Sequence, residues 1–140
     1  MNMEYVQKIV VAGVIHNNGK FLLLKRNSNE DIFPNKWELP SGKVEFGEDP
    51  NQSLIREIKE ETGLEIKDFF PLKCTHYTIE KPDKKRHTIH IIYIINIPEV
   101  KNIVLTNEHD DYKWVNVNDL KQLDTFDDMF DILDDAIKKL

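Results

Sequence analysis

Three glutamates, Glu57, Glu60 and Glu61, crowd into the stretch REIKEETGL, Arg56–Leu64. Their spacing of i, i+3 and i+4 places them on one face of any helix that carries them. Like charges so spaced destabilise a helix by roughly 0.2–0.5 kcal/mol per pair. A solvated acidic face tolerates that cost. The cluster also has a chemical use, because hard divalent cations such as Mg²⁺ are held by a few carboxylates together with substrate phosphates. With a cation between them, acids that repel an anion become a site that binds a polyphosphate.

The helix that must carry these acids is marked at both ends. Asp49 suits the N-cap, Pro50 the first helical position, Gln52 the closing of a capping box and Gly63 the C-terminal stop. Leu54, Ile55 and Ile58 supply its buried stripe. Upstream, KIVVAGVIHN and KFLLLKR read as strands joined by a turn at Asn17–Gly19, a β-hairpin. A polar loop, NSNEDIFPNK, leads into WELPSGKVEFGEDP, whose glycines and prolines predict a fixed irregular shape. Downstream, FFPLKCTHYTIE and HTIHIIYIINI are strands separated by the basic turn EKPDKKR. The second is apolar on both faces toward its end, which predicts a central place in a sheet covered on both sides. YKWVNV is a short strand, and DDMFDILDDAIKKL a closing amphipathic helix burying Phe130, Leu133 and Ile137, with Lys138 and Lys139 complementing its dipole. Strands mixed with two helices predict an α/β sandwich. With 140 residues and no repeat or linker, one domain over 1–140 is expected.

The segment GKVEFGEDPNQSLIREIKEETGL, Gly42–Leu64, resembles the Nudix box. Every specified position of that signature is filled: Gly42, Glu48, Arg56, Glu57, Ile58, Glu60, Glu61, Gly63 and Leu64. A chance match in a chain of this length has a probability on the order of 10⁻⁸ to 10⁻⁷. NKWELPSGKVE, FLLLKR and KRHTIHIIYII resemble the flanking segments of the MutT type, and Glu108 and Trp114 resemble the family's downstream glutamate and tryptophan. The resemblance implies a Nudix-type α/β/α sandwich with a mixed β-sheet. It also implies hydrolysis of a nucleoside diphosphate linked to another group, with nucleoside triphosphate to monophosphate and pyrophosphate as the leading case. Ser41 stands where most relatives have a second glycine, and Ser53 replaces a common alanine.

Carried over residue by residue, the resemblance makes Glu57, Glu60 and Glu61 ligands of Mg²⁺ or Mn²⁺, with the Ser41 carbonyl completing the shell. Glu48 and Arg56 form a supporting, bidentate ion pair within the catalytic set. Glu57 is the first candidate for general base. Glu108 is the second, or a further ligand, with Asp110 and Asp111 as competitors. Arg26 and Arg86 are candidate substrate contacts, as is Asp128 beside Asp127, where some relatives read the base edge. Exposed strand surface competes for Arg26, Arg86, His87 and Tyr77, and a helix N-terminal role for the two aspartates. Trp37 is expected to pack under the loop, and Cys74 to be a small buried apolar residue.

The net charge of −6 leaves no basic surplus for a nucleic-acid polymer or a membrane surface. No apolar run approaches the roughly 20 residues that span a bilayer. The N-terminus lacks a signal-peptide pattern and the single cysteine excludes an internal disulfide, so a cytoplasmic monomer or homodimer acting on a small nucleotide is expected. ADP-ribose, a nucleotide sugar or a dinucleoside polyphosphate remain alternative substrates, chosen by the loops at 27–36, 80–87 and 106–111. A non-catalytic nucleotide sensor or a plain interaction domain are the readings from other classes.

Overall fold

The structure, a computed structural model, describes residues 2–140. Seven strands form one mixed sheet: β1 (Glu4–Asn17), β2 (Lys20–Arg26), β3 (Trp37–Glu38), β4 (Ser41–Lys43), β5 (Asp68–Lys81), β6 (Lys84–Asn96) and β7 (His109–Val115). Helix α1 (Pro50–Thr62) follows β4, and α2 (Met129–Ile137) closes the chain after a 3-10 turn at Val117–Gln122. Among the described residues no helix is long and apolar enough to cross a membrane.

The hairpin between β1 and β2 is confined to its tip, His16↔Phe21 and Asn17↔Lys20. Below that tip β1 pairs instead with β4, from Val10↔Lys43 to Ala12↔Ser41. Its other edge pairs in parallel with β6 from Glu4↔Lys84 to His16↔Asn96, and β6 pairs antiparallel with β5. Meanwhile β2 runs antiparallel to β7 and to the short β3. A strand expected to hold one partner therefore divides its edge between two, and this is how β4 reaches the middle of the molecule.

Strand alternation sends successive side chains to opposite faces. In β1, Val11 and Ile15 face α1 with Leu54 and Ile58, while Ala12 and Val14 face α2 with Ile132 and Leu133. In β6, Tyr93 and Ile95 join the first cluster, Ile92 and Ile94 the second. Both faces are covered, as the two-sided apolar pattern of β6 predicted. Trp37 is buried in the α2-side cluster.

Four local expectations are corrected. The buried face of α2 is Met129, Ile132, Leu133 and Ala136, and Phe130 and Ile137 are exposed. The apolar residues of α2 form two overlapping stripes that share Leu133, and the helix docks on the one with Met129, Ile132 and Ala136; Lys138 is its C-cap and its last turn holds no basic residue. Gln52 closes no capping box, because the Asp49 carboxylate accepts from the Asn51 N–H at 2.8 Å. Cys74 is exposed on the outer strand β5, which has β6 on one side only.

Leu133 is fully buried. Leu133→Ala is expected to cost about 2–5 kcal/mol in chemical denaturation, whereas Phe130→Ala, on the exposed side of the same helix, is expected to stay within about 0.5 kcal/mol.

Candidate active site

Helix α1 begins at the Asp49 cap and ends at Gly63, whose φ of 79° suits the left-handed stop and whose N–H bonds to the Lys59 carbonyl at 2.9 Å. Leu54 and Ile58 anchor it to the sheet, which turns Glu57 and Glu61 inward and leaves Glu60 more than half exposed. The helix lies so close to β4 that a Cβ on Gly42 would overlap the carboxylate of Glu57. Gly42 is thus the floor on which that carboxylate rests.

Arg56 ties the loop before the helix to the acids on it. Its Nε donates to Glu48 Oε2 at 3.0 Å and its Nη2 to Glu48 Oε1 at 2.8 Å, a bidentate pair. Nη2 also donates to the Lys43 carbonyl, Nη1 to Glu57 Oε1 at 2.6 Å, and Nη1 stands 3.6 Å from Glu60. Glu48 further accepts from the hydroxyl of Ser53 at 2.6 Å and the N–H of Glu45 at 3.1 Å. These bonds, led by that from Arg56, hold the Glu48 carboxyl at about 2. Ser53, a minor departure by sequence, is fully buried and bonded to this pair. For Glu57, burial raises the pKa and Arg56 opposes the rise.

Glu61 is almost wholly buried. Its Oε1 accepts the Ser41 N–H at 2.7 Å. Burial, reinforced by the nearby acids Glu38, Glu108 and Glu57, pushes its carboxyl up to about 9 against that one stabilising bond. Ser41 pairs regularly in β4 and is not among the non-glycine residues at positive φ, so serine imposes no backbone strain there. One ligand atom each from Glu61, Glu108 and His109 lie within 4.8 Å of one another. Glu57 and Glu60 are outside that group and contact Arg56 instead. Asp110 and Asp111 are also outside it; both are exposed, and Asp111 bonds to its neighbour's N–H.

Two site residues escaped the sequence reading. His109, 3% exposed, places Nε2 2.7 Å from Glu38 Oε2, which also takes Arg26 Nη1 at 3.3 Å. The signal was faint: His109 adjoins Glu108, and Glu38 sits between two apolar residues in WEL.

Beside these acids lies a cavity of about 360 Å³, edged by Glu38, Ser41 and Gly42 and reaching Arg26, Arg86 and Asp128. Tyr77 and His90 also line it, whereas His87 bonds to Gln7 and His76, and Asp127 is not on its wall. Asp128 occupies the N-cap position of α2 without a side-chain capping bond. It therefore stands both at the N-terminus of the helix and on the cavity wall. Lys8 and Lys43 line the same space as Arg86; burial, then these two cations, depress the Lys8 pKa. One wall of an acidic protein thus gathers positive charge.

The residues present fit a divalent cation. A buried carboxyl with acids around it lacks a compensating charge, and the buried Nδ1 of His109 has no hydrogen-bond partner among the described residues. Clustered carboxylate oxygens suit Mg²⁺ or Mn²⁺.

Residues 6–136 match the family model of the NUDIX domain. A nucleoside triphosphatase, NudI, of Klebsiella pneumoniae (strain 342) is 36% identical over 124 residues, covering 84% of this chain and 88% of its own. NudI of Escherichia coli O139:H28 is 32% identical over 127 residues with the same coverage. Among solved structures, the MutT protein of Methanosarcina mazei Go1 superposes with a TM-score of 0.73 at 30% identity, over 99% of both chains. The NUDIX domain of Shewanella oneidensis NrtR, crystallised with ADP ribose, has a TM-score of 0.69 over 99% of this chain and 89% of its own. At 19% identity that last likeness is one of fold.

Gly42→Ala is expected to destabilise by about 1–3 kcal/mol through overpacking, and by less than half as much in a Glu57→Ala background, where the clash is relieved; a double-mutant cycle measures both. The Glu48 carboxyl falls from an ordinary 4.5 to about 2 on folding. Its contribution to stability is full above about 4.5 and lost as pH falls toward about 2. Melting temperatures over that window should therefore drop more steeply for the wild type than for Glu48→Gln.

Proposed function

The chain belongs to the Nudix family, and we propose that it hydrolyses a nucleoside triphosphate to the monophosphate and pyrophosphate in a cation-dependent reaction, with residues 1–140 acting as one unit. The observation that carries this reading is the single cavity joining the wall of Lys8, Lys43 and Arg86 to the strand edge, Ser41 and Gly42, on which Glu61 and Glu57 rest. Its volume lies within the range of small-molecule sites. A polyphosphate is the ligand that satisfies both ends, cations along its chain and a metal-binding carboxylate cluster at the scissile bridge. The NudI relatives, named nucleoside triphosphatases, support that choice.

Glu57 and Glu61, with Glu60, Glu108 and the Ser41 carbonyl, would hold Mg²⁺ or Mn²⁺. Bound there, the cation would polarise phosphoryl oxygens and lower the pKa of a coordinated water. The chain's own residues do the rest. The Ser41 N–H fixes one oxygen of Glu61, and the Glu48–Arg56 pair fixes Glu57 from the loop side. These constraints hold the carboxylates before substrate arrives, so little reorganisation is left for the reaction. Arg86 lines the cavity, where its guanidinium suits a phosphate. Arg26, held by Glu38 and the Ile32 carbonyl, reaches the cavity as a more constrained contact. Asp128, left free of the helix cap, faces the cavity as an acceptor for a base or ribose donor. Glu57 and Glu108 are the acids placed to take the proton of the attacking water. In-line attack then breaks the P–O–P bridge. Retention of every box carboxylate supports turnover rather than nucleotide sensing. Composition and the single cysteine support a cytoplasmic setting and a small-molecule partner.

A product-resolved assay with nucleoside triphosphates, dinucleoside polyphosphates and nucleotide sugars tests the reading. Monophosphate and pyrophosphate are expected from a triphosphate, abolished by chelation with EDTA. The double substitution Glu60→Gln, Glu61→Gln should lower kcat/KM by about 10³-fold or more, several kcal/mol of lost charge stabilisation. Turnover that survives both treatments contradicts the proposal.

A further inference from the structure

We infer that His109 contributes Nδ1 as a nitrogen ligand to the cation at Glu61 and Glu108, and that this donor moves the site's preference from Mg²⁺ toward Mn²⁺. The inference rests on the cation-dependent reading above and adds a ligand to it. Glu38 Oε2 takes both the Nη1 donor of Arg26 and the Nε2 of His109, at 3.3 and 2.7 Å. A carboxylate paired with a guanidinium only accepts, so Nε2 carries the hydrogen in this contact. The neutral imidazole with its hydrogen on Nε2 presents a bare lone pair at Nδ1.

That lone pair has nowhere else to go. His109 is 3% exposed and its Nδ1 has no hydrogen-bond partner among the described residues. The nearest acid, Glu61 Oε2, is 3.9 Å away, beyond hydrogen-bond reach. The Glu61, Glu108 and His109 ligand atoms lie within 4.8 Å of one another, a little wider than a bound ion would draw them. Ligands at about 2.1 Å from an octahedral centre stand roughly 3 Å apart when adjacent and about 4.2 Å apart when opposite. A histidine whose far nitrogen donates to a carboxylate is the usual arrangement for a metal-bound imidazole, because the carboxylate fixes the tautomer and strengthens the donor. Imidazole favours transition metals, whereas Mg²⁺ prefers oxygen throughout. Arg26 acts indirectly here, by holding the Glu38 carboxylate in the position that orients His109.

The test uses the full chain with Mn²⁺ alone as the probe. Pulsed electron paramagnetic resonance of bound Mn²⁺ is expected to show nitrogen hyperfine modulation that disappears in His109→Gln and persists in His90→Gln. Calorimetry is expected to show the ratio of Mn²⁺ to Mg²⁺ affinity falling about tenfold or more in His109→Gln, and Mn²⁺ affinity falling about 10- to 100-fold in Glu38→Gln. Should His109→Gln fail to fold, the wild-type and His90→Gln spectra decide the matter. Bound Mn²⁺ without nitrogen modulation overturns this inference and leaves the cation-dependent reading standing. Failure of the wild type to bind Mn²⁺ overturns both.

Discussion

A carboxyl group buried among other acids is the electrostatic problem around which this molecule is arranged. Glu61 is withdrawn from water beside Glu38, Glu108 and Glu57, with one backbone N–H, that of Ser41, as its hydrogen-bond donor. Arg56 is divided between Glu48 and Glu57, and Arg26 between Glu30 and Glu38. Among the described residues neither guanidinium forms an ion pair with Glu61 or Glu108. A buried charge without a partner is unfavourable by several kcal/mol, and the usual remedies are neutralisation or a bound metal. Under the proposed function a bound cation would complete the arrangement.

Long-range pairing brings the acids together. β1 gives up β2 after two residue pairs and takes β4, which sets the Ser41 N–H against the end of α1. β2 carries Arg26 to its end, where a register shift between Lys25 and Arg26 sets it opposite His109 of β7. β3, paired with β2, brings Glu38 to the same place. The glycine at 42 allows α1 to approach β4 until Glu57 rests on the backbone. Residues separated by as much as 71 positions thus meet in one hydrogen bond, Glu38 to His109.

The legible parts of the sequence were those whose information is local. The α1 helix could be read from Asp49, Pro50, Gly63 and its apolar spacing, because caps and periodicity act within a turn or two. The α/β class and the covered position of β6 followed from strand alternation. The acids of α1, the Glu48–Arg56 pair and Ser41 were named because their spacing matches a signature, and the structure places them around one strand edge. What stayed hidden depended on partners far along the chain. His109 and Glu38 look like ordinary strand residues until β2 sets β3 beside β7. Ser53 looked incidental because its bond to Glu48 lies across the loop. Cys74 was assigned to the interior from its residue type, but β5 is an outer strand. Phe130 and Ile137 share a helical stripe with Leu133, as do Met129, Ile132 and Ala136, and only tertiary docking decides which of the two stripes is buried.

The claim beneath all of this is that the acids of α1, together with Glu108, enclose a metal ion against β4. Crystals soaked in Mn²⁺ and measured at an energy where manganese scatters anomalously locate that ion without reference to activity. The account predicts an anomalous peak within coordination distance, about 2.0–2.4 Å, of Glu61 and at least one further carboxylate of the cluster. A map with no peak there, or with manganese only at exposed acids elsewhere on the surface, would contradict it.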